Sequence, residues 1–272
     1  MADFQYSLNC STIKPTPLRE KIAIAGDVGY TGIELWYDDV DGYVRDGGTL
    51  SDLRKALDDA GLAVVSTIFL KGWWDTEGET RRVAMDECHR RMEIAAELGA
   101  RHYIAGPPLG PVDVELGARR YRELLELGIG IGVKPACEYL GFAEEFNTIE
   151  KAVDLITRCG HPEATIVHDP FHVFRGGGSF ESVGTLNPEQ IAVFHFNDAL
   201  DFPPRELQHD PDRVMPGDGC LDLKGVLRSL NRIGYTGWIS LELFNRDWWK
   251  RDPRETAKVG LERMRELAAE ES

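Results

Sequence analysis

The chain contains no run approaching the roughly 18 apolar residues that a membrane-spanning helix needs and no surplus of basic residues. Lys and Arg number 31 against 46 Asp and Glu, giving a net charge of −15. A surface of that sign repels phosphate backbones and anionic lipid, so neither nucleic acid nor a membrane is an expected partner. The N-terminal Met1-Ala-Asp-Phe lacks the basic and apolar regions of a signal peptide. Cysteine is sparse: Cys10, Cys88, Cys137, Cys159 and Cys220 are odd in number and none belongs to a Cys-x-x-Cys pair. This argues against a disulfide framework and a thiolate zinc site, and for a reducing cytoplasm. No low-complexity linker divides the chain, so a single domain over 1–272 is expected.

What is present is an alternation of strand and helix patterns from end to end. Strands are expected over 4–8, 32–36, 63–69, 102–105, 134–139, 165–169, 192–197 and 238–243. Helices are expected over 17–28, 49–60, 77–98, 114–127, 148–158, 187–190, 223–233 and 253–269, the sixth being short. Gly29, Gly61, Gly99, Gly160 and Gly234 follow helical runs as C-terminal stops. Ser51, Asp113 and Thr148 stand near helix starts, where a side-chain oxygen can accept an orphan amide hydrogen. Eight βα units in 272 residues average 34 each, which suits an eight-stranded (β/α)8 TIM barrel. An open doubly wound sheet is the runner-up, but it usually shows a glycine-rich loop after its first strand. Here that position reads Asn9-Cys-Ser-Thr-Ile-Lys-Pro. Gly29-Tyr-Thr-Gly-Ile-Glu34-Leu recurs as Gly234-Tyr-Thr-Gly-Trp-Ile-Ser-Leu-Glu242-Leu, which suggests that the second and eighth strands are built alike.

Four of the later strands end in a metal-grade side chain: Pro135-Ala-Cys-Glu138, Thr165-Ile-Val-His-Asp169, Ile191-Ala-Val-Phe-His195 and Trp238-Ile-Ser-Leu-Glu242. Buried strands carry such groups rarely, because an unpaired charge is costly to desolvate. The four are separated by 31, 26 and 47 positions, about one βα unit each with one long loop added. At the carboxyl face of a barrel they would lean toward a common point. Hard oxygen with one nitrogen suits Mn²⁺ best, with Mg²⁺, Co²⁺ and Zn²⁺ as alternatives. The bland alternative pairs each carboxylate with an arginine or uses it to cap a loop.

Several stretches resemble the xylose-isomerase-like barrel superfamily of sugar isomerases and epimerases, most closely its inosose isomerase branch. They are Glu138-Tyr-Leu-Gly-Phe, Phe146-Asn-Thr-Ile-Glu150, His168-Asp-Pro-Phe-His172, Phe194-His-Phe-Asn-Asp198, Arg213-Val-Met-Pro-Gly-Asp-Gly219 and Leu241-Glu-Leu-Phe-Asn-Arg-Asp-Trp-Trp249. The resemblance implies that Glu138, Asp169, His195 and Glu242 hold one divalent metal, and that Glu138 and Glu242 double as acid and base on opposite faces of the substrate. It also implies substrate contacts from His172 and Arg213. The implied reaction is isomerisation or epimerisation of a non-phosphorylated keto-polyol, a keto-inositol or ketohexose, through a metal-stabilised enediolate. A dehydratase of a keto-inositol or dehydroshikimate-like substrate shares the first step, and a non-catalytic sugar-binding barrel is the third reading.

Weaker candidates complete the set. Glu144 is a candidate outer substrate contact. His168 should face away from the barrel axis by strand alternation and is read as structural. Trp73-Trp74 and Trp248-Trp249 follow strands three and eight and could wall a sugar-sized pocket, pack in the core or support a homo-oligomer. Gly176-Gly-Gly178 reads as a flexible loop. The stretch 198–222 reads as one long loop, and so long a loop is more often functional than idle.

Overall fold

Eight parallel strands close into a ring in the computed structural model, which describes residues 4–270. They are β1 Gln5–Asn9, β2 Gly32–Trp36, β3 Ala63–Leu70, β4 His102–Ala105, β5 Lys134–Glu138, β6 Thr165–His168, β7 Ile191–Phe196 and β8 Trp238–Leu241. Each strand pairs with its neighbour in sequence, and β8 closes the ring on β1 with Ser240 opposite Ser7. All six residues of β7 are buried, as expected for parallel strands covered on both faces. The fold is the TIM barrel.

The helices that cover the ring are α1 Leu18–Val28, α2 Tyr37–Arg45, α3 Leu50–Asp59, α4 Gly78–Glu97, α5 Val114–Ile131, α6 Ile149–Cys159, α7 Pro170–Gly176, α8 Leu223–Ile233 and α9 Pro253–Glu270. Their sequences explain them. In α8, Leu223, Val226, Leu227 and Leu230 recur at helical spacing and are buried. Asp222 caps its start by accepting from the Gly225 N–H, and Gly234 ends it at φ 76°. Thr49 caps α3 with its hydroxyl, so Ser51 lies inside the helix rather than at its start.

Three local expectations are corrected. Helix α2, missed in the sequence, has three aspartates and a glycine in nine residues and buries only Tyr37 and Val40. The helix expected over 187–190 is one 3-10 turn, and the real helix between β6 and β7 is α7. The glycine run is therefore no flexible loop: Gly176 ends α7 and Gly177 caps it at φ 75°. A side chain at Gly176 would meet the Asn147 carbonyl oxygen at 2.1 Å.

Two apolar layers hold the ring. Inside it, Val65, Ile68, Ile104, Ala136, Val167, Val193 and Trp238 pack below the mouth. Outside it, Leu8, Leu35, Cys137, Phe194 and Leu241 pack against the helices. This alternation turns Glu138 inward two residues after Ala136. The segment 198–222 is also more ordered than a loop. Asp198–Ala199 and Arg213–Val214 pair as an antiparallel ribbon. The Asp198 carboxylate accepts N–H bonds from Ala199, Gly217, Gly219 and Leu221, tying the segment into one knot. Among the described residues no helix is long and apolar enough to cross a membrane.

Candidate functional site

The strand-end acids converge at the carboxyl mouth of the ring. His195 Nδ1 lies 3.0 Å from Glu242 Oε2, 3.5 Å from Glu138 Oε1 and 3.7 Å from Asp169 Oδ2. All four residues are buried. Strand geometry accounts for the convergence. Val193 and Val167 line the ring interior, so His195 and Asp169, two residues on, face inward as well. His168, between Val167 and Asp169, turns outward, meets the Phe194 ring edge to face and lies 2.7 Å from the Tyr139 hydroxyl.

Asp169, Glu242 and Glu34 are held by neutral donors as well as by charge. Asp169 also caps α7, accepting from the Phe171 N–H at 2.7 Å, and its Oδ1 takes the Asn197 amide at 3.1 Å. Asn9 donates to Glu242 Oε1 at 3.0 Å. Behind the imidazole, Glu34 Oε2 lies 3.3 Å from His195 Nε2 and accepts from Ser66; Glu34 Oε1 accepts from Ser240 and Asn9. Glu34 and Asn9 were missed as site residues. The repeated Gly-Tyr-Thr-Gly motif was the available signal, since it precedes a strand carrying a glutamate in both places, Glu34 in one and Glu242 in the other. The two are not equivalent, however, because Glu34 sits within its strand and Glu242 just past its own.

Arg213 enters from the ribbon and is 1% exposed, so it is no surface salt bridge. Its Nη1 donates to Asp169 Oδ2 at 2.7 Å and Glu242 Oε2 at 2.6 Å, and its Nη2 to Asp210 Oδ1 at 2.8 Å. Nη2 also lies 3.3 Å from His172 Nε2. The rings of Phe171 and Phe244 flank the guanidinium at 4.9 and 5.3 Å.

The charges shape one another. Burial pushes the Glu138 carboxyl up to about 7; the His195 ring opposes this, and Glu242 and Asp169 add to it. Burial would raise Asp169 too, but Arg213, His172 and His195 hold it well below the carboxylate range. His195 is disfavoured as a cation by burial, yet Glu242 and Glu34 hold its pKa well above the imidazole range. His172 is pushed down to about 4 by burial, with Asp169 opposing and Arg213 reinforcing.

The donor set fits a dication. His195 Nδ1 is buried, faces three carboxylates and makes no well-directed hydrogen bond to any of them. A nitrogen lone pair and three anionic oxygens around one point match a hard divalent ion. Asp169, His195 and Glu242 offer ligand atoms all within 4.8 Å of one another, as do Glu138, Asp169 and His172.

Above this centre lies a cleft of about 410 Å³. Glu138, Glu242, His172, Arg213 and Asp210 form its polar end, and Trp36, Ile68, Phe69, Leu109, Leu140, Phe142 and Phe244 its apolar walls. Lys71 also lines it and makes no hydrogen bond or ion pair through its ammonium among the described residues. A larger groove of about 570 Å³ runs along α4 but gathers no convergent acids with a histidine. Glu144 and both tryptophan pairs fall outside. The Glu144 side chain is exposed and does not line the cleft. Trp73 and Trp74 are buried against Tyr121 and Phe146, so they are core rather than pocket wall or exposed docking groups. Trp248 and Trp249 also stand outside the cleft.

The chain is similar to an inosose isomerase of Bacillus velezensis, at 27% identity over 93% of this chain and 92% of that one. It is 28% identical to a 3-dehydroshikimate dehydratase of Pseudomonas aeruginosa over 90% of this chain, which spans 39% of that longer protein. Its fold superposes on a crystal structure of the IOLI protein with a binding zinc atom at TM-score 0.92, with 23% identity and 99% of each chain covered. The model of the xylose isomerase-like TIM barrel family matches residues 22–267, and the chain belongs to that family.

Proposed function

We propose that this protein is a divalent-metal-dependent isomerase or epimerase of a non-phosphorylated keto-polyol, a keto-inositol or ketohexose. The observation that carries the reading is the approach of His195 Nδ1 to Glu138, Asp169 and Glu242 within 3.0–3.7 Å, at the floor of a sugar-sized cleft. Those four residues would hold the ion. A dication there supplies Lewis-acid polarisation of a ketone, which acidifies the adjacent C–H bond.

The protein side chains do the rest. Glu138 and Glu242 stand on strands three places apart in the ring, so they reach a substrate from different sides. One carboxylate takes the proton and the other, or the same one, returns it to the same or the neighbouring carbon. Arg213 and His172 orient the hydroxyl groups beside the reacting carbons. The apolar collar from Trp36 to Phe244 receives the C–H face of a sugar ring and displaces water from it. Similarity to the inosose isomerase of Bacillus velezensis over nearly the full length of both chains supports this substrate class.

A dehydratase reading is favoured by one observation. Lys71, unpaired at the cleft wall, would meet a carboxylate, and dehydroshikimate carries one. The deciding experiment incubates the protein in D₂O with inososes, ketohexoses and 3-dehydroshikimate, with and without a chelator. Deuterium should enter at the carbon next to the ketone of a polyol. It should fall about 10²–10⁴-fold in Glu138→Gln and in Glu242→Gln. Full exchange in both variants refutes their roles. A product with new ultraviolet absorbance in place of an isomer decides for the dehydratase.

A further inference from the structure

Asp169 and Glu242 each turn one oxygen to the centre of the site, and those same two oxygens hold Arg213. The other oxygen of each acid is already engaged. Asp169 Oδ1 accepts from Phe171, His172 and Asn197, and Glu242 Oε1 accepts from Asn9. The atoms left to face His195 Nδ1 are Asp169 Oδ2 and Glu242 Oε2. Arg213 Nη1 bridges that pair at 2.7 and 2.6 Å.

We infer that Arg213 competes with the divalent cation for these two oxygens and that its charge sets the affinity of the site for metal. The inference rests on the reading of the four-residue centre as a metal site. The guanidinium cannot escape the competition by losing its proton: burial works against its charge, but Asp169, Glu242 and Asp210 outweigh it and raise an already high pKa. Nor is it free to swing away. Asp210 holds Nη2, Phe171 and Phe244 flank the plane, and Asn245 donates to the Arg213 carbonyl at 2.9 Å. An arriving dication therefore meets a fixed positive charge within hydrogen-bond distance of two of its own ligand atoms. Like-charge repulsion in a buried site is screened little by solvent. The same contact has a structural consequence. Without metal, three carboxylates gathered around one imidazole would repel one another, and the guanidinium, with the His195 ring, supplies the countercharge that keeps their geometry. Arg213 is thus a resident stand-in for the ion, stabilising the metal-free centre and weakening the loaded one.

The test titrates chelator-stripped full-length protein with Mn²⁺ in a calorimeter. Arg213→Met and Arg213→Gln remove the charge, and Arg213→Lys keeps it. The expected result is a Kd at least tenfold tighter in both neutral variants and within about threefold of wild type in Arg213→Lys. An unchanged or weaker Kd in the neutral variants overturns the competition and makes Arg213 a positioning donor for the ligands. A neutral variant that folds only when Mn²⁺ is present supports it. A neutral variant that stays unfolded at saturating Mn²⁺ overturns it. If neither wild type nor variants bind Mn²⁺, Mg²⁺, Co²⁺ or Zn²⁺, the metal reading fails first and the competition falls with it.

Discussion

Glu34 Oε2 lies 3.3 Å from His195 Nε2, on the side of the ring opposite the three mouth carboxylates. When an ion displaces the Nδ1 proton, the proton that stays on Nε2 bonded to Glu34 leaves the Nδ1 lone pair directed at the mouth. Carboxylates behind a ligating histidine fix its tautomer and raise its basicity. Glu34→Gln should therefore weaken Mn²⁺ binding about 10–100-fold while Asn9, Ser66 and Ser240 keep the position packed. Calorimetric titration reads the change. Wild-type affinity in the variant would reduce Glu34 to a core acid.

How this centre arises was partly legible in the sequence. Glu138, Asp169, His195 and Glu242 were visible because each ends a short apolar run, and strand alternation fixed their inward direction. Glu34 was hidden because it lies mid-strand, and its one trace was the repeated Gly-Tyr-Thr-Gly join that precedes it. Arg213 was visible only through a motif resemblance, since the ribbon that delivers it depends on Asp198 gathering three distant amides besides its neighbour's. Helices α2 and α7 escaped for opposite reasons. The first is polar and buries two residues, and the second is seven residues long and starts at a proline. Trp73 and Trp74 were ambiguous because an apolar ring reads alike whether it faces a ligand or the core.

Metal loading should show as stability. A ligand at one hundred times its Kd adds about 2.7 kcal/mol to the folded state. For a chain of this size that corresponds to a rise in Tm of roughly 5–10 °C. Mn²⁺ should produce the rise and EDTA reverse it. Asp169→Asn should lose most of it, because the variant forfeits a ligand that also pairs with Arg213. A calorimetric scan with no Mn²⁺ effect on wild type would contradict the site.

Lys71 offers a way to separate neutral from anionic substrates. Its ammonium lines the cleft without a protein partner, whereas Arg213 is committed to three acids. Lys71→Met should leave kcat/KM for a keto-inositol within about twofold, as an exposed charge gains little from a neutral partner. For a carboxylate-bearing ketone it should raise KM about tenfold, the scale of one lost charge-assisted hydrogen bond. Equal effects on both substrates would remove Lys71 from specificity.

Gly106 supports the apolar wall by lacking a side chain. A Cβ there would fall 1.6 Å from the Phe69 ring, which lines the cleft. Gly106→Ala should force the ring to move and cost about 1–3 kcal/mol, the usual range for overpacking. Urea unfolding reads the loss. Steady-state kinetics should show KM rising more than kcat falls, because Phe69 shapes the binding space without touching the acids.

His102 predicts how stability responds to mild acid. Its ring lies near the lower end of the barrel, beside Ser66 in register, and its Nδ1 is buried without a partner. Burial pushes its pKa down to about 4; Arg101 and Lys134 reinforce the shift, and Glu34 opposes it. The unfolded chain keeps an ordinary imidazole near 6.5. Between those values the unfolded state binds a proton that the folded state refuses. The stabilisation is thus complete above about pH 6.5, falls as pH drops and is exhausted near pH 4. The residue is partly buried, so residual solvent screening reduces the effect, to about 1–2 kcal/mol lost between pH 7.5 and 5.0. His102→Gln should remove that increment in urea unfolding at the two pH values. His195 is held charged and responds to pH in the opposite sense, but it is present in both proteins, so the difference between them isolates His102. Parallel pH slopes for wild type and variant would mean that the ring takes up its proton in the folded state as readily as in water.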